Sequence, residues 1–138
     1  MRTLLLALTV TIALSAQAAV NFSGKWTIQG GGRGGGGRGG GPTLTLNQVG
    51  TDVAGELNGG GGGGGGSTAP INNEIYDGKV ENGALFFYVW RGTDKPVKTF
   101  YKGTLSAAGD EIAFTVTGGV ARGGAPPATQ TVTARRAK

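Results

Sequence analysis

Glycine accounts for 30 of the 138 residues, and the chain contains neither cysteine nor histidine. Those absences exclude a disulfide scaffold, a thiol nucleophile, a His-ligated metal and a Ser-His-Asp triad, and the glycine has no Gly-X-Y period, which excludes collagen. The formal net charge is +5, at a length that suits one domain.

The first segment is an export signal. Arg2 supplies a positive n-region, Leu4–Leu14 an apolar core, and Ala16-Gln17-Ala18 a small-x-small cleavage site. The run is shorter than the roughly 20 apolar residues that cross a bilayer, so no transmembrane segment is expected. Residues 1–18 are assigned to the signal peptide and 19–138 to a single domain. No cysteine follows the cleavage site, so a lipid-anchored form is excluded and a periplasmic or secreted location is expected.

After Ala19 the helical apolar period is missing. Short segments of period two recur instead, separated by Gly, Asp and Asn turns. Strands are expected at Gly24–Gln29, Thr43–Gln48, Asp52–Leu57, Ile71–Val80 (irregular), Ala84–Trp90, Lys98–Ser106, Glu111–Thr117 and Ala128–Arg136. Asn82-Gly83 is the strongest hairpin signal, because a primed turn needs positive φ at both positions. Glycine runs at Gly30–Gly41 and Gly59–Gly66 lie within the connections 30–42 and 58–70, with Arg33 and Arg38 inside the first. Both are expected to be disordered loops, since ordering each residue costs about 1–2 kcal/mol.

If every connection is a hairpin, the long loops 30–42, 58–70, 91–97 and 118–127 share one rim, and the three tight turns share the other. That arrangement predicts an all-β fold, an eight-stranded antiparallel up-and-down barrel with a loose mouth and a tight base. Trp26, Ile28, Leu44, Leu46, Val53, Leu57, Leu85, Phe87, Val89, Tyr101, Leu105, Ile112, Phe114, Val116, Val132 and Ala134 share the inward phase. Side chains of this size fill most of a barrel this small.

Gly24-Lys25-Trp26 at the start of the first strand resembles the Gly-x-Trp of lipocalins, avidins and related calycin-like barrels. The resemblance implies a Trp closing the barrel base beneath an Arg near the end of the last strand. Trp26 and Arg136 are the matching positions. Over nearly all of residues 19–138 the chain is also similar to small secreted bacterial domains of uncharacterised function. The matching pieces are Gly24-Lys25-Trp26-Thr27, Leu44-Thr45-Leu46-Asn47-Gln48, Val53-Ala54-Gly55-Glu56-Leu57, Asp77-Gly78-Lys79-Val80, Tyr101-Lys102-Gly103-Thr104-Leu105, Gly109-Asp110-Glu111-Ile112 and Thr133-Ala134-Arg135-Arg136. The two glycine loops depart from that pattern. The resemblance implies fold and export and brings no catalytic residue or cofactor.

The glycine runs mimic nucleotide-binding loops only superficially. Neither opens a helix, and no Lys precedes Ser67-Thr68, so nucleotide binding is not expected. Two Arg residues in an exported chain also give little reason for nucleic-acid binding. Asp110-Glu111 lies in a base turn with the two side chains in opposite phases, and Glu74 and Asp77 have no partner, so no enzyme is expected. The expected mouth carries Arg33, Arg38, Arg91, Lys95, Lys98 and Arg122 against Asp94, a surface suited to anionic groups.

The segment Ala84–Trp90 is apolar in both phases. With Leu85, Phe87 and Val89 inward, Phe86, Tyr88 and Trp90 form an outward stripe beside Phe100, flanked by Lys98 and Lys102. Exposed aromatic patches mark interaction sites, and flat rings suit sugar faces. The leading expectation is a non-enzymatic barrel that binds carbohydrate or another cell-envelope component, with carbohydrate or an anionic envelope component as its partner. Phe86, Tyr88, Trp90 and Phe100 would stack, with Arg91, Lys98 and Lys102 as polar contacts. The alternatives are an exported inhibitor that inserts Arg91–Val97 into a protein partner, and a structural envelope protein without a small ligand.

Overall fold

The computed structural model describes residues 20–29, 41–59, 72–92, 96–118 and 129–138. The expected signal peptide, most of both glycine loops, and Arg33, Arg38, Asp94, Lys95 and Arg122 lie outside these segments.

The described chain forms eight strands: β1 Gly24–Gln29, β2 Thr43–Val49, β3 Asp52–Asn58, β4 Tyr76–Glu81, β5 Ala84–Arg91, β6 Val97–Leu105, β7 Glu111–Gly118 and β8 Thr129–Arg136. Each pairs antiparallel with the next, and β8 returns to β1, closing an up-and-down barrel. Tight turns make this possible. Asn82 and Gly83 both take positive φ (49° and 78°) between β4 and β5, as a primed turn requires. Gly50 and Gly109, at φ 63° and 74°, serve the other two turns of the base.

The alternation of large apolar and polar residues defines the interior. Of the residues with inward phase, all are buried except Leu105 and Val132, which are half-buried and packed against the rest. Phe87 stacks on Tyr101 with centroids 4.8 Å apart, and Phe114 meets each of them edge-on at 5.8 Å. Phe22, Ile75 and Ala84 join the core from outside the period-two pattern.

Four residues ahead of β1 close the base. Phe22 is fully buried, and its carbonyl accepts the Trp26 indole N–H at 3.0 Å. Gln48 fastens this segment: its Oε1 accepts from the Phe22 N–H, its Nε2 donates to the Val20 carbonyl, and its own N–H donates to Ser23 Oγ. Arg136 stands over Trp26, 4.3 Å from the ring centroid, and donates to the carbonyls of Ser23 and Gly109. A cation over an indole face contributes about 0.5–2 kcal/mol. These donors also satisfy carbonyls that the end of the barrel would otherwise leave unpaired.

The fourth strand differs from the expected Ile71–Val80. It starts at Tyr76, Glu74 makes only an isolated bridge to Glu56, and Ile71 lies outside the described residues. A bulge also interrupts the strand. Tyr76 pairs with Tyr88 and Lys79 with Phe86, so Asp77 and Gly78 together oppose one residue of β5. Asp77 takes φ 50°, a left-handed conformation that Asp tolerates better than most residues. Gly78 lies where a Cβ would come 1.9 Å from the Val53 carbonyl oxygen, so the bulge presses backbone against β3.

This makes β3–β4 the thinnest pairing of the barrel. One ladder pair, Asp52 with Lys79, is supplemented by Leu57 N–H to Asn73 O, Ile75 N–H to Gly55 O and Val80 N–H to Thr51 O. The β5–β6 pairing runs without interruption from Ala84–Thr104 to Arg91–Val97. Local opening follows the sparsest bonding. The amides of Leu57 and Ile75 should therefore exchange with deuterium at least about tenfold faster than those of Phe87 and Tyr101. Equal protection, measured by NMR, would show that the seam opens only with the whole barrel.

Candidate functional site

The outer face of β4–β7 gathers most of the aromatic surface. Cross-strand register sets Tyr76 opposite Tyr88, Tyr88 opposite Phe100 and Phe100 opposite Thr117. A second row sets Lys79 opposite Phe86, Phe86 opposite Lys102 and Lys102 opposite Thr115. Between and beside these rows runs a groove of about 390 Å³, whose lining includes Asp77, Phe86, Tyr88, Lys98, Phe100 and Lys102. Thr115 and Thr117 form its far side. Asp77 reaches this lining from the bulge.

The rings do not lie as a flat strip. Tyr76 and Tyr88 stack on each other, centroids 5.5 Å apart and planes 16° from parallel. Trp90 meets Tyr88 edge-on at 6.0 Å. The Lys98 ammonium sits 4.2 Å from the Tyr88 centroid and 5.3 Å from that of Trp90, and Lys102 lies 5.5 Å from the Phe86 centroid. Tyr88 thus has Tyr76 and Lys98 as immediate neighbours. The ring left most open is Phe100, 51% exposed, tilted 54° to Tyr88. The Tyr76 hydroxyl, in turn, accepts from Asn72 Nδ2 at 2.5 Å.

Phe86, Tyr88, Trp90, Phe100, Lys98 and Lys102 are thus brought together, as neighbours on one face. Arg91 is not with them. It follows the outward Trp90, so its phase is inward, and its Nη2 donates to the Tyr101 hydroxyl at 2.6 Å inside the mouth. That inner cluster includes Thr99, 3% exposed, whose Oγ1 has no hydrogen-bond partner among the described residues. Tyr76 was missed by sequence reasoning. Its residue type is visible, but its place beside Tyr88 depends on the bulge that shifts the register of β4.

Among the described residues no cluster of three or more Asp or Glu side chains is placed to hold a metal ion. One ion pair occurs among them, Arg135 with Glu111 at 3.2 Å, on the outer surface near the base. Among the described residues no helix is long and apolar enough to cross a membrane. Comparisons with protein-family models, curated proteins and solved structures found no match.

Proposed function

We propose that this protein is an exported, non-enzymatic β-barrel that binds a carbohydrate of the cell envelope or its surroundings through the outer groove of β4–β7. The observation that carries the reading is the position of Phe100. A barrel of this size buries its apolar residues inside, yet here a large aromatic side chain stands half in water beside Tyr76, Tyr88, Trp90 and Phe86. A ring exposed in that way, bordered by Thr hydroxyls and two ammonium groups, offers a sugar one apolar face and several polar partners. The export signal expected at residues 1–18 and the sequence resemblance to small secreted bacterial domains support the same reading.

Trp90 gives a built-in reporter, because its indole lies at the edge of the groove. Titration with a panel of envelope and plant polysaccharides should shift its emission, and the shift should vanish in Trp90→Phe. Phe100→Ala should weaken binding about tenfold, the equivalent of roughly 1.5 kcal/mol for one aromatic contact. Because Phe100 is half exposed, the unfolding midpoint should change little. An unresponsive protein across the whole panel would refute the carbohydrate reading.

A further inference from the structure

Charge and direction narrow the ligand of the groove. Lys98 and Lys102 lie on β6 at i−2 and i+2 from Phe100, all three outward, which separates the lysine Cα atoms by about 13 Å along the strand. Among the described residues neither lysine forms an ion pair, although Asp77 lines the same groove. Their ammonium groups rest over Tyr88, Trp90 and Phe86 instead. Each is held by a ring that restrains its position and leaves its positive charge uncancelled. Two restrained cations, carried from strand positions that flank one open ring, form an anion-recognising arrangement.

The groove itself runs across the strands. Its lining passes from Asp77 on β4 through Phe86 and Tyr88 on β5 and Phe100 on β6 to Thr115 and Thr117 on β7. That path covers three inter-strand steps of about 4.8 Å each. A chain molecule following it crosses β6 at Phe100, with Lys98 to one side and Lys102 to the other.

We infer that the groove takes a linear acidic polysaccharide, laid across the strands, whose carboxylates alternate from side to side along the chain. One sugar ring packs on Phe100. Its carboxylate meets Lys98 or Lys102, and the carboxylate of the next, inverted sugar meets the other. Thr115 and Thr117 offer hydroxyls to the sugar beyond. This assignment rests on the carbohydrate reading above and adds to it the charge, linearity and direction of the ligand.

The test is calorimetric titration of the full protein with oligomers of β-1,4-linked mannuronic acid of increasing length. Neutral cello-oligomers of the same lengths and a single-stranded oligonucleotide serve as comparison ligands. The acidic oligomers should bind more tightly than either. Affinity should rise until the oligomer fills the groove and then level off, and high salt should weaken it. Lys98→Gln and Lys102→Gln should each weaken binding by about fivefold, the scale of one exposed ion pair, and Lys98→Arg should restore it. Equal binding of acidic and neutral oligomers, with both Gln variants unaffected, would overturn the acidic assignment and leave the carbohydrate reading standing. Equally tight binding of the oligonucleotide would overturn it too, reducing the site to a patch of charge. Failure of every glycan to bind would overturn both.

Discussion

Trp26→Ala should lower the unfolding free energy by about 3–5 kcal/mol, the cost of truncating a large buried side chain whose space cannot refill. Trp26 is fully buried at the base, where it contacts the end of the barrel in three ways. It fills the space above Phe22, donates its indole N–H to the Phe22 carbonyl and carries the Arg136 guanidinium on its face. Alanine removes all three together, leaving the Phe22 carbonyl unpaired and Arg136 without its platform. Urea unfolding followed by circular dichroism measures the loss directly. Trp26→Phe separates the parts, since it keeps most of the volume while deleting the donor, and should cost about 1–3 kcal/mol. A loss below about 1 kcal/mol for alanine would show that the base does not depend on this residue.

The second large effect is expected from adding a single carbon. Gly103 faces inward on β6, paired with Leu85 and Phe114. A Cβ there would lie 2.5 Å from Phe114 Cε1 and 2.8 Å from Ile112 Cγ2. Phe114 is fully buried and packed edge-on against Phe87 and Tyr101, so its ring cannot turn aside without disturbing both. Gly103→Ala should therefore destabilise the barrel by about 2–3 kcal/mol through overpacking. Gly50→Ala is the control. Gly50 sits in a base turn at φ 63° with nothing near its would-be Cβ, so only backbone strain of about 1 kcal/mol is added. Similar losses for the two variants, read from thermal or urea unfolding, would show that the interior has room at Gly103.

The barrel was legible because most of its strands keep a period-two apolar set on their inward face. Trp26, Leu44, Ile112 and Phe114 alternate with polar or small neighbours, and each is buried. Asn82-Gly83 announced its turn through the backbone conformation it allows. What escaped were features that depend on contacts distant in sequence. Phe22 precedes the first strand and carries no periodic signal, so its burial follows from the bonds to Gln48 and Trp26. Asp77-Gly78 reads as turn chemistry, and nothing local tells a bulge from a turn. The bulge decides where Tyr76 lands, and so the aromatic face was read without one of its members. The Lys98 and Lys102 positions over rings arise from cross-strand register, which composition does not reveal. Arg91 was the opposite case: the alternation that puts Trp90 outside already puts Arg91 inside.

Seven of the eight pairings join strands consecutive in the chain, and only β1 with β8 joins its two ends. The first seven can form one hairpin after another, each with a modest loop-closure cost. The eighth must bring together Ser23 and Arg136, 113 positions apart. Until it forms, the molecule is an open sheet with two unpaired edges, β1 on one side and β8 on the other. Open edges recruit other chains. The bonds of Arg136 to Ser23 and Gly109, together with its seat on Trp26, therefore also protect against aggregation. The pairing of β8 with β1 decides whether this sheet closes on itself or keeps two open edges.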